Sequence, residues 1–124
     1  MIRVVRVYDE EPGGDSDSHP RILVERLWPR GVRRADLRLR EWRRDVAPSD
    51  ELRRWFGHEP QKWEEFRRRY AAELDAHPES WTPLRDLAAD GGVTLLYSSR
   101  DTEHNNAVAL REYLLARLDG ARSS

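Results

Sequence analysis

The segment 93–97, Val-Thr-Leu-Leu-Tyr, constrains the fold more than any other part of the chain. Thr94 apart, it is uninterruptedly apolar, which is typical of a strand covered on both faces, as strands in parallel sheets are. The polar run 100–106 follows it and opens an amphipathic helix, predicted from about Thr102 to Leu118. A strand of this kind followed by such a helix predicts a short sheet with helices packed on it.

Two further strands are predicted before it, over residues 2–8 and 21–27, because both runs are rich in β-branched and apolar residues. Pro29 and Gly31 end the second strand, since proline has no N–H to donate and glycine permits a positive φ. The loop 9–20 is polar and is expected to be mobile at its centre. Alternation of Leu37, Leu39 and Trp42 suggests another short extended piece near residues 38–42.

Three helices are predicted between the second strand and the 93–97 strand. The first is capped by Ser49 and stops at Gly57; the second starts at Pro60 and runs to about Ala76; the third spans about 81–89. The order β-β-α-α-α-β-α predicts one small α/β domain over residues 1–120, with a mainly parallel sheet of three to four strands flanked by helices. Residues 121–124 are expected to be a frayed C-terminal tail.

The composition and residue spacing exclude several classes of protein and of cofactor site. The 124-residue chain contains no cysteine, which excludes a disulfide framework and a thiol nucleophile. It has no run of about 18 apolar residues, so we expect a cytoplasmic protein without a membrane partner. Its spacings match neither metal ligands nor the Gly-rich loops that bind nucleotides, so we expect no metal and no cofactor.

Arginine supplies all but one of the 22 basic residues, although the net charge is only −1. Seven arginines lie between Arg30 and Arg44 against Asp36 and Glu41, a local excess of five positive charges. Such a segment suits an anionic partner. It supports an alternative function as a nucleic-acid- or protein-binding module, with Trp42 as a stacking residue; nucleic acid is the less favoured partner because the overall charge is near zero.

A first candidate cluster lies where the second strand ends, in Arg26-Leu-Trp-Pro-Arg-Gly31. The planar guanidinium groups of Arg26 and Arg30 suit carboxylate or phosphate. Arg26 could equally pair with a buried acid inside the protein, and Trp28 is better explained as a residue that packs on the core.

A second candidate cluster follows the 93–97 strand. Arg100 could hold an anion at the start of the last helix, and Asp101 or Thr102 is expected to cap that helix. His104 is the candidate proton carrier, although a lone histidine is more often structural. Asn105 and Asn106 are poor helix formers, so either a ligand contact or a bond to a neighbouring loop is needed to explain them.

Because ligands of open α/β sheets bind beyond the carboxyl ends of the strands, the two clusters are expected to form one site for a small anion. In a hydrolase or transferase the arginines would stabilise negative charge and His104 would move a proton. The ligand-binding residues would be Arg26, Trp28, Arg30, Arg100, Asp101, Asn105 and Asn106, with His104 catalytic. The sequence leaves open whether the protein is an enzyme.

The motifs Arg26-Leu-Trp-Pro-Arg-Gly31 and Glu103-His-Asn-Asn-Ala107, with shorter matches between them, cover nearly the whole chain in order. On these motifs the chain resembles the YeaO-like branch of a bacterial family of unknown function. The resemblance implies a small cytoplasmic α/β protein, and it brings no established activity and no agreed catalytic residues.

Overall fold

The computed structural model describes residues 1–9 and 19–123, with side chains to residue 118. These residues form one four-stranded parallel sheet in the spatial order β1-β4-β2-β3 and five α-helices. The strands are β1 (Ile2–Arg6), β2 (Arg21–Leu23), β3 (Glu41–Trp42) and β4 (Val93–Tyr97). The helices are α1 (Arg34–Leu37), α2 (Asp50–Phe56), α3 (Trp63–Ala76), α4 (Pro78–Ala89) and α5 (Asn106–Ser123).

The predicted α/β class and the parallel sheet are confirmed, and β3 provides the fourth strand that the region 38–42 suggested. β4 lies in the middle of the sheet, with Leu95 opposite Val4 of β1 and Ile22 of β2. All five of its residues are buried, which explains why the segment is almost entirely apolar.

Both faces of the sheet are covered, but unequally. Helices α2 to α5 pack on one face around a large core that includes Leu95, Tyr70 and Leu110. The other face carries a small core of Val7, Leu23, Leu37 and Leu96, with Trp28 and Trp42 packed against it. Alternate residues of β4 therefore enter different cores, as the two-residue period of a strand requires.

Helix α2 begins and ends as the sequence predicts. The Ser49 hydroxyl accepts a hydrogen bond from the Leu52 N–H at 3.1 Å, which caps the first turn. Gly57 follows the last turn with φ of 54°, a left-handed conformation that glycine adopts without steric cost. Pro60 opens a short 3₁₀ turn, Pro60–Lys62, and α3 starts directly after it.

The second strand is shorter than predicted. Regular pairing stops at Leu23, although the Val24 N–H still donates to the Leu96 carbonyl at 3.2 Å. The alternation of Leu37 and Leu39 is not a strand, because Leu37 closes helix α1 and Arg38 follows it with φ of 50°. Only Glu41–Trp42 is extended and paired.

Helix α4 starts at Pro78 rather than near residue 81, so Pro83 lies inside it. Proline has no N–H for the carbonyl four residues earlier, which belongs to Glu79. A guanidinium N–H of Arg43 donates to that carbonyl at 3.4 Å instead. The missing helical hydrogen bond is thus replaced from outside the helix.

The bounds of the last helix also differ from the prediction. Helix α5 starts at Asn106, not near Thr102, and it continues through Gly120 to Ser123. The expected mobility of the loop falls largely on residues 10–18, which lie outside the described residues. Among the described residues, no helix is both long enough and apolar enough to span a membrane.

Candidate functional site

A cavity of about 730 Å³ opens beyond the carboxyl ends of β2 and β4. All eight candidate residues line it: Arg26, Trp28, Arg30, Arg100, Asp101, His104, Asn105 and Asn106. Two stretches separated by some 70 positions of sequence are brought together because β2 and β4 are neighbouring parallel strands. The volume falls in the range of about 300–1,000 Å³ that is typical of small-molecule sites.

Arg26 is held by the protein itself. Its guanidinium donates to the carbonyls of Pro48 and Ala47 at 3.2 and 3.3 Å, and its Nε lies 3.6 Å from the Asp50 carboxylate. The sequence left open whether Arg26 binds a ligand or pairs with a buried acid. Inside the protein it bonds two backbone carbonyls, and its acidic neighbour Asp50 is exposed rather than buried. Its side chain remains about one-third exposed, so the positive charge still contributes to the cavity.

Trp28 is positioned by packing. Its ring meets that of Trp42 edge to face, with centroids 5.2 Å apart, and its indole N–H donates to the Val32 carbonyl at 2.7 Å. These contacts fix the wall of the cavity on that side. They agree with the interpretation of Trp28 as a packing residue and leave only part of its ring to face the cavity.

Arg30 and Arg100 differ from Arg26 in their surroundings. Both are exposed at the edge of the cavity. Within residues 1–9 and 19–123, neither guanidinium forms a salt bridge with a carboxylate. The backbone of Arg30 is fixed, since the Tyr8 hydroxyl donates to its carbonyl at 2.8 Å. The cavity edge thus carries two exposed arginines that have no carboxylate partner within the described residues.

Asp101 organises the loop before α5. Its Oδ1 accepts from the N–H groups of Glu103 and His104, both at 2.9 Å, and its Oδ2 lies 3.0 Å from Nδ1 of His104. Burial raises the pKa of Asp101, but these hydrogen bonds and the nearby imidazole outweigh burial and hold the pKa below its usual value.

His104 is oriented by this carboxylate and by aromatic packing. Its ring meets Trp63 edge to face at a centroid distance of 5.3 Å. An imidazole whose Nδ1 bonds a carboxylate presents Nε2 for proton transfer or ligand binding. The geometry is compatible with the proton-carrier role, which stays a prediction.

Neither Asp101 nor Thr102 caps the last helix, because the helix begins later than predicted. Asn105 is the cap: its Oδ1 accepts from the Val108 N–H at 3.0 Å, while its Nδ2 donates to the Asp101 carbonyl at 2.9 Å. Asn106 donates to the Val24 carbonyl at 2.6 Å and so ties α5 to the end of β2. Both asparagines therefore have structural explanations.

The sequence interpretation missed Glu25. Glu25 Oε1 accepts from the Ser98 N–H at 2.8 Å and from its hydroxyl at 3.2 Å, so the pair joins the ends of β2 and β4 inside the cavity. Burial raises the pKa of Glu25, against the opposing effects of Ser98, Arg53 and His58. The sequence pattern placed Glu25 inside the predicted strand 21–27, whereas regular pairing ends at Leu23 and leaves Glu25 beyond the strand end.

Helices α2 and α3 and the turn between them add the remaining walls. Phe56 and Phe66 supply apolar surface, with ring centroids 4.5 Å apart. His58 lies beside them with φ of 59°, which is uncommon for a residue other than glycine. Among the described residues, no group of three or more His, Asp or Glu side chains is arranged to hold a metal ion.

The basic segment Arg30–Arg44 does not present a free stacking surface. Trp42 donates its indole N–H to the Glu25 carbonyl at 2.7 Å, packs against Trp28, and has the Arg44 guanidinium 5.0 Å from its ring centroid. Arg43 pairs with Glu41 and Asp45 in the same segment. Trp42 thus has contacts within the protein that account for it, and nucleic-acid binding through this segment stays a prediction.

Comparison with known proteins assigns the chain to a family. The whole chain, residues 1–124, matches the model described as the inactive DUF488-N3 subclade, and the protein belongs to that family. It is 44% identical to the uncharacterised protein YeaO of Escherichia coli (strain K12) over 113 residues, which cover 91% of this chain and 96% of the relative.

A second relative is the uncharacterised protein Rv3073c of Mycobacterium tuberculosis (strain ATCC 25618 / H37Rv). It is 39% identical over 116 residues, covering 94% of this chain and 95% of its own length. No solved structure matches the chain significantly. The resemblance predicted from the Trp-Pro and His-Asn-Asn motifs is therefore confirmed, and the relatives cover the chain almost completely.

Proposed function

We propose that the protein binds a small anionic ligand in the cavity at the carboxyl ends of β2 and β4, and that the protein does not catalyse a reaction of this ligand. The proposal rests on whether each arginine of the cavity already forms a salt bridge with a carboxylate of the protein. Arg30 and Arg100 line one cavity, and in the described part of the chain they have no carboxylate partner. Guanidinium groups without a carboxylate partner suit phosphate or carboxylate.

The lining favours a ligand with an apolar part. The largely buried Phe56, Phe66 and Pro29 border the cavity, whereas Arg30 and Arg100 are exposed at its edge. Aromatic walls would cover a ring or hydrocarbon body, and the arginines would fix its anionic end. Phenyl phosphate has both features and is a suitable first probe.

Binding without turnover is proposed because the matching family model is described as inactive. The oriented pair of Asp101 and His104 is the arrangement that general base catalysis would use, so catalysis must be tested directly. We expect no hydrolysis of p-nitrophenyl phosphate above background. Hydrolysis that disappears in His104→Gln would replace the binding proposal with the hydrolase prediction.

A thermal-shift titration tests the binding proposal. A ligand present at about 100 times its dissociation constant stabilises the folded state by about 2.7 kcal/mol, which gives a clear rise in melting temperature. We expect phenyl phosphate to raise the melting temperature and benzyl alcohol, which has no anion, to leave it unchanged. No rise with phenyl phosphate or inorganic phosphate would reject the proposal.

A further inference from the structure

Glu25 is the one acidic side chain among the described lining residues that lies between the two strands. Its Oε1 accepts both hydrogen bonds from Ser98. In the part of the chain that the structure describes, Oε2 has no hydrogen-bond donor from the protein. An ionised carboxylate has about four acceptor positions, so Glu25 keeps acceptor capacity for a ligand.

The arginines around the cavity and the Glu25 carboxylate favour opposite charges on a ligand. Arg30 and Arg100 attract an anion, whereas an anion next to Glu25 would be repelled and would leave its acceptor oxygens unsatisfied. A ligand that satisfies both must carry its anion at one end and N–H donors at the other. A simple phosphate or carboxylate satisfies only the arginines.

The size and the walls of the cavity restrict the body of such a ligand. A free amino acid has both groups but would fill little of a cavity of about 730 Å³. His58, beside the largely buried rings of Phe56 and Phe66, offers an imidazole that suits a flat heterocycle. A phosphorylated nucleoside has a phosphate, a body of suitable size and a flat base with N–H groups at its edge.

We propose that the cavity takes a nucleoside monophosphate whose base presents adjacent N–H donors to Glu25, and that guanine is the preferred base. The inference rests on the proposed anion site and adds the identity of the ligand. Guanine has a ring N–H next to an amino group, so this edge can donate to Oε2 without placing an acceptor against the carboxylate, whose Oε1 is already bonded by Ser98. Adenine has an amino group beside an acceptor nitrogen, which would face the carboxylate unfavourably.

Isothermal titration calorimetry with GMP, AMP and phenyl phosphate tests this assignment on the wild-type chain and on Glu25→Gln. Glutamine keeps an acceptor oxygen for the Ser98 N–H and places a donor where the second carboxylate oxygen lies. We expect wild type to prefer GMP over AMP by about tenfold or more, because AMP places an acceptor nitrogen where GMP donates a hydrogen bond toward the charged Glu25 carboxylate. In Glu25→Gln that preference should disappear, while phenyl phosphate, which has no N–H donor and is no longer repelled by a carboxylate, should bind at least as tightly as it does to wild type.

The outcomes separate this inference from the proposed function. Equal affinity of the wild type for GMP and AMP overturns the guanine assignment even if Glu25→Gln does not fold. A preference that survives in a folded Glu25→Gln overturns the role of Glu25. If phenyl phosphate binds in either case, the anion site stands; if neither phenyl phosphate nor a nucleotide binds, both proposals fall.

Discussion

Two concave regions of nearly equal size show how differently the same residue type can be used. The cavity at the strand ends has a volume of about 730 Å³, and a groove between α3 and α5 has about 710 Å³. Both are lined by several arginines. In the groove, Arg67 pairs with Glu64 and Glu112, Arg68 pairs with Glu65, and Arg117 pairs with Asp75.

At the strand ends the balance is different, because Arg30 and Arg100 have no such partner in the described part of the chain. A guanidinium that already bonds a carboxylate has fewer donors to offer, and its charge is largely cancelled nearby. Neither the abundance of arginine nor the size of a hollow therefore identifies an anion site. The pairing state of each side chain distinguishes the two regions.

The largest expected effect comes from removing both unpaired charges. Arg30→Gln combined with Arg100→Gln should weaken phenyl phosphate binding by about a hundredfold, since hydrogen bonds to charged groups contribute about 1.5–3 kcal/mol each. Calorimetric titration measures the change. The matched control is Arg67→Gln combined with Arg68→Gln in the groove, and equal losses in both double variants would remove the distinction between the regions.

Asp101→Ala should lower the free energy of unfolding by about 1–3 kcal/mol, because two backbone N–H groups and the His104 ring lose their acceptor. The pKa of Asp101 is lower in the folded state, so its stabilisation is present above the ordinary Asp pKa of about 3.9 and is lost as the pH falls through the folded pKa. Urea denaturation from pH 7 down to acid measures both effects. A difference between wild type and variant that stays constant with pH would contradict this.

Glu25→Gln should show the opposite pH dependence. Burial raises the pKa of Glu25 in the folded state, so ionisation opposes folding. Relative to Glu25→Gln, wild type should lose stability as the pH rises from the ordinary Glu pKa of about 4.3 through the folded pKa, and should lose no more above it. Denaturant midpoints of both chains across this range give the sign, and a wild-type gain with rising pH would show that Ser98 outweighs burial.

The smallest effect is expected in the groove. Arg67→Ala removes two exposed ion pairs, and such pairs contribute about 0.2–1 kcal/mol at most. The change should shrink further at high salt, because exposed charges are screened. Melting curves at low and high ionic strength check this. A large loss of stability that salt does not alter would show that these pairs contribute more than exposed ion pairs do.

Much of the fold could be predicted from local patterns. The buried strand at 93–97, the Ser49 cap and the stop at Gly57 each depend on neighbouring residues alone, and the structure has all three. The start of α5 could not be predicted in this way. Asp101 looks like a cap by residue type, but its bonds hold a turn, and Asn105 caps the helix instead.

The candidate site, like the fold, could be predicted from the sequence only in part. The sequence alone determined which polar residues follow the buried strands, because strand ends and the polar runs after them are local features. Only the tertiary structure decided which polar groups already have partners inside the protein. Arg26 donates to the carbonyls of Ala47 and Pro48. Asn106 donates to the carbonyl of Val24, and Glu25 accepts from Ser98. These partners lie more than 20 positions apart, and parallel pairing of β2 with β4 is what brings most of them together.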